Sequence, residues 1–488
     1  MSKESRARAS AKATSCTLPP LEPNTVPARW GAFLASSIIV FAALIAYHNS
    51  FSGPFVFDDQ GAITDNPSIR YFGSALSPSP AESTAGRPLL NLTFALNYAL
   101  GGMNVRGYHV LNLFIHTLAG LTLFGIVRRT LLERPTPNIQ HPTSKSNHVL
   151  QQLSPTDATL LALAVAVIWT VHPLQTEAVT YISQRAESLM GLFYLLTLYC
   201  FIRGVEGRCQ VSGVRYQEQH GDSRFDKLKA LSQSKGDGGS NSVFQFFSLS
   251  AFWLPASVTA CLLGSMCKEI IVTAPVMVFL YDRTFVAGSF RKAWQQRWPY
   301  YLGLASMWLL LTARLRLGLH QQGVGFDQDV TWLNYALTSC RSVVLYIKLA
   351  VWPHPLVFDY GTDAIHHATS GLYYVPVLIV LIIGLVVALW RWPAIGFASA
   401  WFFVILSPTT SVVPVAFQPM AESRMYLSLA AVISLIALGL YTWVGRRSLI
   451  IFAAITVGLG CLTIRRNEDY RSALAIWSDT DNLHCGGW

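Results

Sequence analysis

The chain has 488 residues, 52% of them hydrophobic and 13% charged, with a formal net charge of +10 and a mean hydropathy of +0.38. Soluble domains carry about 25% charged residues, so a single water-soluble core is excluded and a polytopic membrane protein is expected. The basic excess gathers at the ends of apolar runs and in a few loops, a pattern that orients membrane proteins and excludes a nucleic-acid-binding face.

Residues 1–29 are polar and basic, with Lys3, Arg6, Arg8, Lys12 and Arg29, and read as a cytoplasmic tail. The apolar run 30–48 follows with no small-residue cleavage pattern after it, so it is an uncleaved first span. A span takes about 20 apolar residues. Further candidates in chain order are 108–128, 158–171, 186–203, 243–266, 270–281, 298–317, 372–390, 394–410, 426–445 and 449–464. Two of these, 158–171 and 270–281, are short. Each meets ionisable residues at its outer end (His172-Pro173 and Lys268-Glu269), which suggests a polar cavity cut into the outer leaflet.

The run 331–352 is also apolar but holds Arg341 and Lys348 in its middle, each costing about 2.5–3.5 kcal/mol at the bilayer centre. Laid on the outer surface as an amphipathic helix, it leaves Arg128, Arg129, Arg203, Arg208, Arg283, Arg297, Arg391, Arg446 and Arg447 on the cytoplasmic side. The expectation is an all-α polytopic membrane protein of about eleven transmembrane helices, N-terminus cytoplasmic and C-terminus extracytoplasmic. Its membrane domain runs over 30–464, with an extracytoplasmic loop at 49–107 and cytoplasmic linkers at 129–157 and 204–242. The second linker contains the biased polar stretch "SQSKGDGGSNS", and a tail, 465–488, closes the chain. The eight cysteines show no Cys-x-x-Cys pair or metal spacing, so neither a disulfide framework nor a zinc site is expected.

This topology puts nearly every distinctive polar stretch on the outer face. In "FVFDDQGAITDNP", Asp58 and Asp59 sit against Phe55-Val56-Phe57. Partial desolvation and a like charge next door raise a carboxyl pKa, the condition for a general base near neutral pH. Two adjacent aspartates also suit a solvated loop or a helix N-cap. Arg87-Pro88 opens "RPLLNLTFALNY", a short interfacial helix with Pro88 in its first turn, and the Asn91-Leu92-Thr93 sequon lies inside this apolar run. The loop "HPLQTEAVTYISQRAESL" holds His172, Glu177, Arg185 and Glu187. Lys268 and Glu269 follow a span end, and Glu422, Arg424 and Tyr426 lie in "AESRMYL". Taken singly these are ordinary ion pairs and snorkelling residues. Together they set cations and carboxylates at headgroup depth, where a lipid-linked phosphosugar presents its phosphate. Cations there would hold the leaving phosphate, and a loop carboxylate would take the proton of an incoming hydroxyl. No ligand spacing demands a metal or cofactor, although the carboxylates leave room for a divalent cation. A transporter would instead place charges at mid-bilayer and repeat its broken helices, and a membrane scaffold would leave the one-sided charges without a role.

"FVFDDQGAITDNPSI", "RPLLNLTFALNY", "GYHVLNLFIHTL", "VHPLQTEAVTYISQRAESL", "CKEIIVTAPVMVFLYD", "WPHPLVFDYG" and "AESRMYLSLA" occur in this order over residues 30–480. Together they resemble the membrane portion of the transmembrane and tetratricopeptide-repeat O-mannosyltransferases and their bacterial relatives, within the GT-C superfamily. The resemblance implies a GT-C fold whose first-loop acidic motif is Asp58-Asp59, with Asp58 the preferred base and Asp59 close behind. It also implies transfer of mannose or another hexose from a polyprenyl phosphate to Ser/Thr hydroxyls of an acceptor protein. Phosphate contacts by Arg87, Arg185, Lys268 and Arg424 are expected from charge and topology, supported by His172, Glu177, Glu187, Glu269, Glu422 and Tyr426. Family members continue into tandem repeats, whereas "RRNEDYRSALAIWSDTDNLHCGGW" resembles only the approach to a first one, and no period of about 34 residues is visible. The membrane expected is the bacterial plasma membrane, with the endoplasmic reticulum as the alternative.

Overall fold

The structure is a computed structural model, and it describes residues 26–79, 82–132, 153–219, 240–316, 331–361, 368–410 and 420–478. The expected tail up to residue 25, the linker segments 133–152 and 220–239 and the last ten positions of the expected C-terminal tail, 479–488, lie outside the described residues. Among the described residues every regular element is helical.

The first helix, α1 (Val26–Tyr47), is followed by a loop of short turns and by α2 (Pro88–Gly101). α3 (Val105–Leu132) is long and apolar, and α4 (Pro155–Thr170) begins behind a Ser154 cap. α4 stops before His172-Pro173, because proline removes a helical N–H; after one 3-10 turn the short α5 (Thr176–Thr180) leads into α6 (Arg185–Gln219). α7 (Ser240–Ser265) is separated from the short α8 (Ala274–Tyr281) by a 3-10 stretch at Glu269–Thr273. α9 (Phe290–Arg316) is kinked at Arg297, two residues before Pro299, so the helix expected to begin at 298 carries an extra N-terminal leg. Then come α10 (Trp332–Val351), α11 (Val375–Arg391), α12 (Pro393–Leu406), α13 (Met425–Val444) and α14 (Ser448–Asp469).

Among the described residues 5 helical stretches are long and apolar enough to cross a membrane, or 6 if the bent pair Pro155–Thr170 and Pro173–Thr180 is one span. One of them, Glu422–Asp469, holds both α13 and α14. The stretches Ala251–Ser265 and Pro393–Leu406 are apolar but shorter. Among the described residues each of the eleven expected runs overlaps a helix, and several of these helices are too short or too bent to count as a full crossing. The protein is a multi-pass membrane protein. Phe33, Phe41 and Ile45 of α1 and Val380, Ile383 and Val386 of α11 point outward, as lipid-facing residues do.

Contacts between helix ends sort the molecule into two ends. At one, Arg446 pairs with Asp157 through two hydrogen bonds of 2.8 and 2.9 Å, and Arg129 pairs with Glu206. Arg297 holds both oxygens of buried Asp282 at 2.9 Å, and Arg283 donates to the Leu389 carbonyl at 3.2 Å. At the other end, Asn49 donates to the Ile464 carbonyl at 2.8 Å, Asn112 to that of Val179 at 3.1 Å, and Tyr346 to that of Ala421 at 2.9 Å. The first loop, the α4–α6 connection, the start of α8, the end of α10 and the start of α13 therefore meet at this second end. Between the ends lies one large apolar core that includes Trp169, Met190, Tyr194, Met277 and Tyr426.

Candidate active site

The first loop folds as a small unit of its own. Ala62, Ile63, Ile69 and Ala75 pack with Leu90, Phe94 and Ala95 of α2. Beneath them Asn66, Ser68, Thr84 and Asn91 bond to one another, Asn66 to Asn91 at 3.0 Å and Asn91 to Ser68 at 2.8 Å. Asn91 is fully buried, so the sequon is a packing element and not a glycan acceptor.

This unit presents the two aspartates differently. Asp59 has 0% exposure; one oxygen accepts the Val56 N–H at 3.1 Å and the other the Ser183 N–H at 2.6 Å. It ties the first loop to the α4–α6 connection. Burial pushes its carboxyl up to about 7, against the pull of those two hydrogen bonds. Asp58 faces outward. Its backbone N–H donates to the Tyr181 hydroxyl at 2.9 Å. The protein crowded around it removes nearby water, which lifts its carboxyl above the ordinary carboxylate range. A hydrogen bond from Tyr181 and the charges of Arg87 and Lys268 oppose that shift, and Asp359 adds to it. Among the described residues the Asp58 carboxylate makes no ion pair. It is a carboxylate held near cations but not neutralised by one.

The cations divide likewise. Arg87, at the N-cap of α2, reaches Glu269 at 3.3 Å, and Lys268 bonds to buried Glu187 at 2.8 Å. Both flank Asp58 electrostatically. Arg185 is fully buried; it donates to Asn112 at 2.5 Å, Thr93 at 3.2 Å and the Tyr108 carbonyl at 3.0 Å, under the Phe94 ring at 4.7 Å. Those contacts make it an internal brace between the first loop unit, α3 and α6, so the expected phosphate contact is not the role its surroundings give it. Arg424 is buried and donates to the Thr409 carbonyl at 2.8 Å.

The supporting residues build the floor. Glu177 accepts the Ser423 N–H at 2.6 Å and its hydroxyl at 3.0 Å, and Glu422 accepts the Val357 N–H at 2.6 Å and the Tyr360 hydroxyl at 3.1 Å. His172 accepts the Leu174 N–H at 3.2 Å, which leaves its other ring nitrogen to donate to the Ala350 carbonyl at 3.3 Å. The Tyr426 hydroxyl bonds to His116 at 3.0 Å, deep in the core. Sequence reasoning passed over Tyr181, Asp359 and Arg314. Tyr181 and Asp359 lie in quoted motifs, in "TYIS" and "VFDYG", but nothing in their spacing pointed to Asp58. Arg314, near the end of α9, donates to the Ser265 carbonyl and adds its charge to Arg87 and Lys268 around Glu269. Among the described residues no group of three or more His, Cys, Asp or Glu could hold a metal ion.

A helical multi-pass membrane protein with a mixed-charge cluster at one end of its bundle is thus defined. No protein-family signature matches the chain. In sequence it is similar to protein O-mannosyl-transferases. It is 29% identical to F38B6.6 of Caenorhabditis elegans over 185 residues, 36% of this chain and 24% of the relative. With human TMTC4 it shares 28% identity over 283 residues (55% and 31%), and with Tmtc2 of Drosophila melanogaster 25% over 349 residues (67% and 30%). The chain spans about a quarter to a third of the length of these relatives. Among solved structures, ArnT from Cupriavidus metallidurans bound to undecaprenyl phosphate aligns over 93% of this chain and 78% of its own, with 10% identity and a TM-score of 0.40.

Proposed function

We propose that this protein is a glycosyltransferase that moves mannose or another hexose from a polyprenyl phosphate to a Ser/Thr hydroxyl of a protein. The similarity to proteins named protein O-mannosyl-transferases supports the reaction class. The single observation that carries the mechanism is Asp58: an outward-facing carboxylate, partly desolvated, under the field of Arg87 and Lys268 without being paired to either. Asp58 takes the proton of the acceptor hydroxyl. The freed oxygen attacks the anomeric carbon while the bond from that carbon to the phosphate oxygen breaks. Arg87 and Lys268 stabilise the charge that develops on the departing phosphate.

The opposite end of the bundle, with Arg129, Arg283, Arg297 and Arg446, is the cytoplasmic one by the excess of basic residues there. The acidic end then faces outside the cytoplasm, and the chemistry is the same whether that compartment is periplasmic or lumenal. Purified protein incubated with radiolabelled polyprenyl-phosphate mannose and an acceptor polypeptide tests the proposal. Transfer by wild type and its loss in Asp58→Asn support it. Full transfer by Asp58→Asn removes that residue from catalysis, and movement of intact lipid across the bilayer without transfer identifies a transporter.

A further inference from the structure

The segment that leaves α14 does not run away from the membrane domain. Tyr470 is buried, and its carbonyl lies so close to Gly53 that a Cβ there would meet it at 3.0 Å; glycine at this position admits the segment against the acidic loop. Ile476 has 0% exposure and joins Val56, Tyr181, Phe358 and Tyr470 in one apolar cluster, with Trp477 packed on it. The Trp477 ring stands edge-on to Phe57, centroids 5.7 Å apart, and to Phe358, also at 5.7 Å. Phe358 in turn meets Phe57 at 6.2 Å and Tyr181 at 5.1 Å.

Phe57 has φ +47°, the left-handed region that a side chain of this size rarely adopts. Such a conformation persists only where the surroundings over-determine it. Here the surroundings are two rings on the side chain, Phe358 and Trp477, and on the backbone the Gln60 N–H, which donates to the Phe57 carbonyl at 3.1 Å, and the Val56 N–H, which donates to the Asp59 carboxylate at 3.1 Å. The strained residue immediately precedes Asp58, so its backbone angle sets the direction in which the Asp58 side chain leaves the loop. Tyr181 fixes the Asp58 N–H on one side, and Trp477 fixes Phe57 on the other.

We propose that Trp477 is a positioning residue for Asp58, so that the segment 470–477 after the last membrane helix is part of the reacting site rather than a tether. This rests on the assignment of Asp58 as base. Loss of the Trp477 ring would let Phe57 relax, turn the carboxylate away from the acceptor hydroxyl and admit water to it.

The test compares wild type with Trp477→Ala and Trp477→Phe, using polyprenyl-phosphate mannose and an acceptor polypeptide. Trp477→Ala should lower kcat by about tenfold to a hundredfold, the cost of a small misplacement of a reacting group, with the donor KM unchanged. The acid limb of its pH–rate profile should move to lower pH, because a better-hydrated carboxylate ionises more readily. Trp477→Phe should restore both. Hydrogen exchange over residues 55–61 should quicken in Trp477→Ala alone. A Trp477→Ala enzyme with wild-type kcat and pH profile overturns the proposal, as does unchanged exchange over 55–61. Absence of transfer by the wild type overturns the glycosyltransferase assignment instead, and the exchange measurement still decides whether Trp477 holds the loop.

Discussion

At the end of the bundle that carries Asp157, Glu206 and Asp282, each of these carboxylates touches a guanidinium directly: Arg446, Arg129 and Arg297. At the opposite end the charges are as numerous but not all matched. Glu187 and Glu269 hold Lys268 and Arg87 in place, while Asp58 lies within their field and makes no ion pair among the described residues. A closed pair has its interaction satisfied in the resting protein, and desolvation makes breaking it costly. An offset carboxylate keeps its proton affinity available for a ligand. The comparison separates carboxylates closed into ion pairs from one that lies beside cations without pairing.

The largest effect expected is that of Asp58→Asn. Transfer should fall by about a hundredfold to ten-thousandfold, the range for removing a general base, with the melting temperature unchanged. In the wild type the rate should fall with decreasing pH through a pKa above about 4, the ordinary carboxylate value, because burial favours the protonated form that cannot accept a proton. A pH-independent rate would dissolve the contrast between the two ends. Next comes Asp282→Asn at the opposite end, which strands buried Arg297 and should cost about 3–5 kcal/mol of stability. Its kcat per folded molecule, measured in detergent below the unfolding transition, should match wild type.

Asp59→Asn should cost about 1–3 kcal/mol at pH 5, since an amide NH2 would face the N–H of Val56 or Ser183. It should also flatten a pH slope. Asp59 has a folded pKa above its unfolded one, so its contribution is fully present below about pH 4 and is lost as pH rises through about 7. Wild-type melting temperature should therefore decline over that window, and Asp59→Asn should not follow it. The smallest effect belongs to the double variant Lys268→Met, Glu187→Gln, which removes one pair without leaving a buried charge behind. kcat should fall about tenfold, the loss of one charge-assisted contact to the charge that develops on the leaving phosphate, with little change in donor KM. A kcat loss equal to that of Asp58→Asn would instead put Lys268 in the proton transfer itself.

Much of the site was legible because its motifs carry unusual residue types at span ends. "FVFDDQ", "CKE" and "AESR" announce themselves against an apolar background, and their one-sided placement follows from the arginines at the other ends. What was not legible is which member of each motif faces inward. Asp58 and Asp59 are identical in chemistry and adjacent in sequence, yet one is a tie between two loops and the other is open. Arg185 reads as a phosphate ligand from its position and is a buried brace, because Asn112, Thr93 and Tyr108 converge on it from elements far away in the chain. Asp359 lies some three hundred positions from Asp58, and no local pattern connects them.

The sequence by itself determined the helical membrane class, the ends of most helices and the sorting of charge to opposite ends, because hydropathy, proline and arginine act through local, additive costs. Only the tertiary structure decided which carboxylate is exposed, which cation is enclosed and how the segment after α14 closes over Phe57. Those outcomes depend on how desolvation balances against partners that arrive from distant parts of the chain, and that balance exists only once the helices have packed.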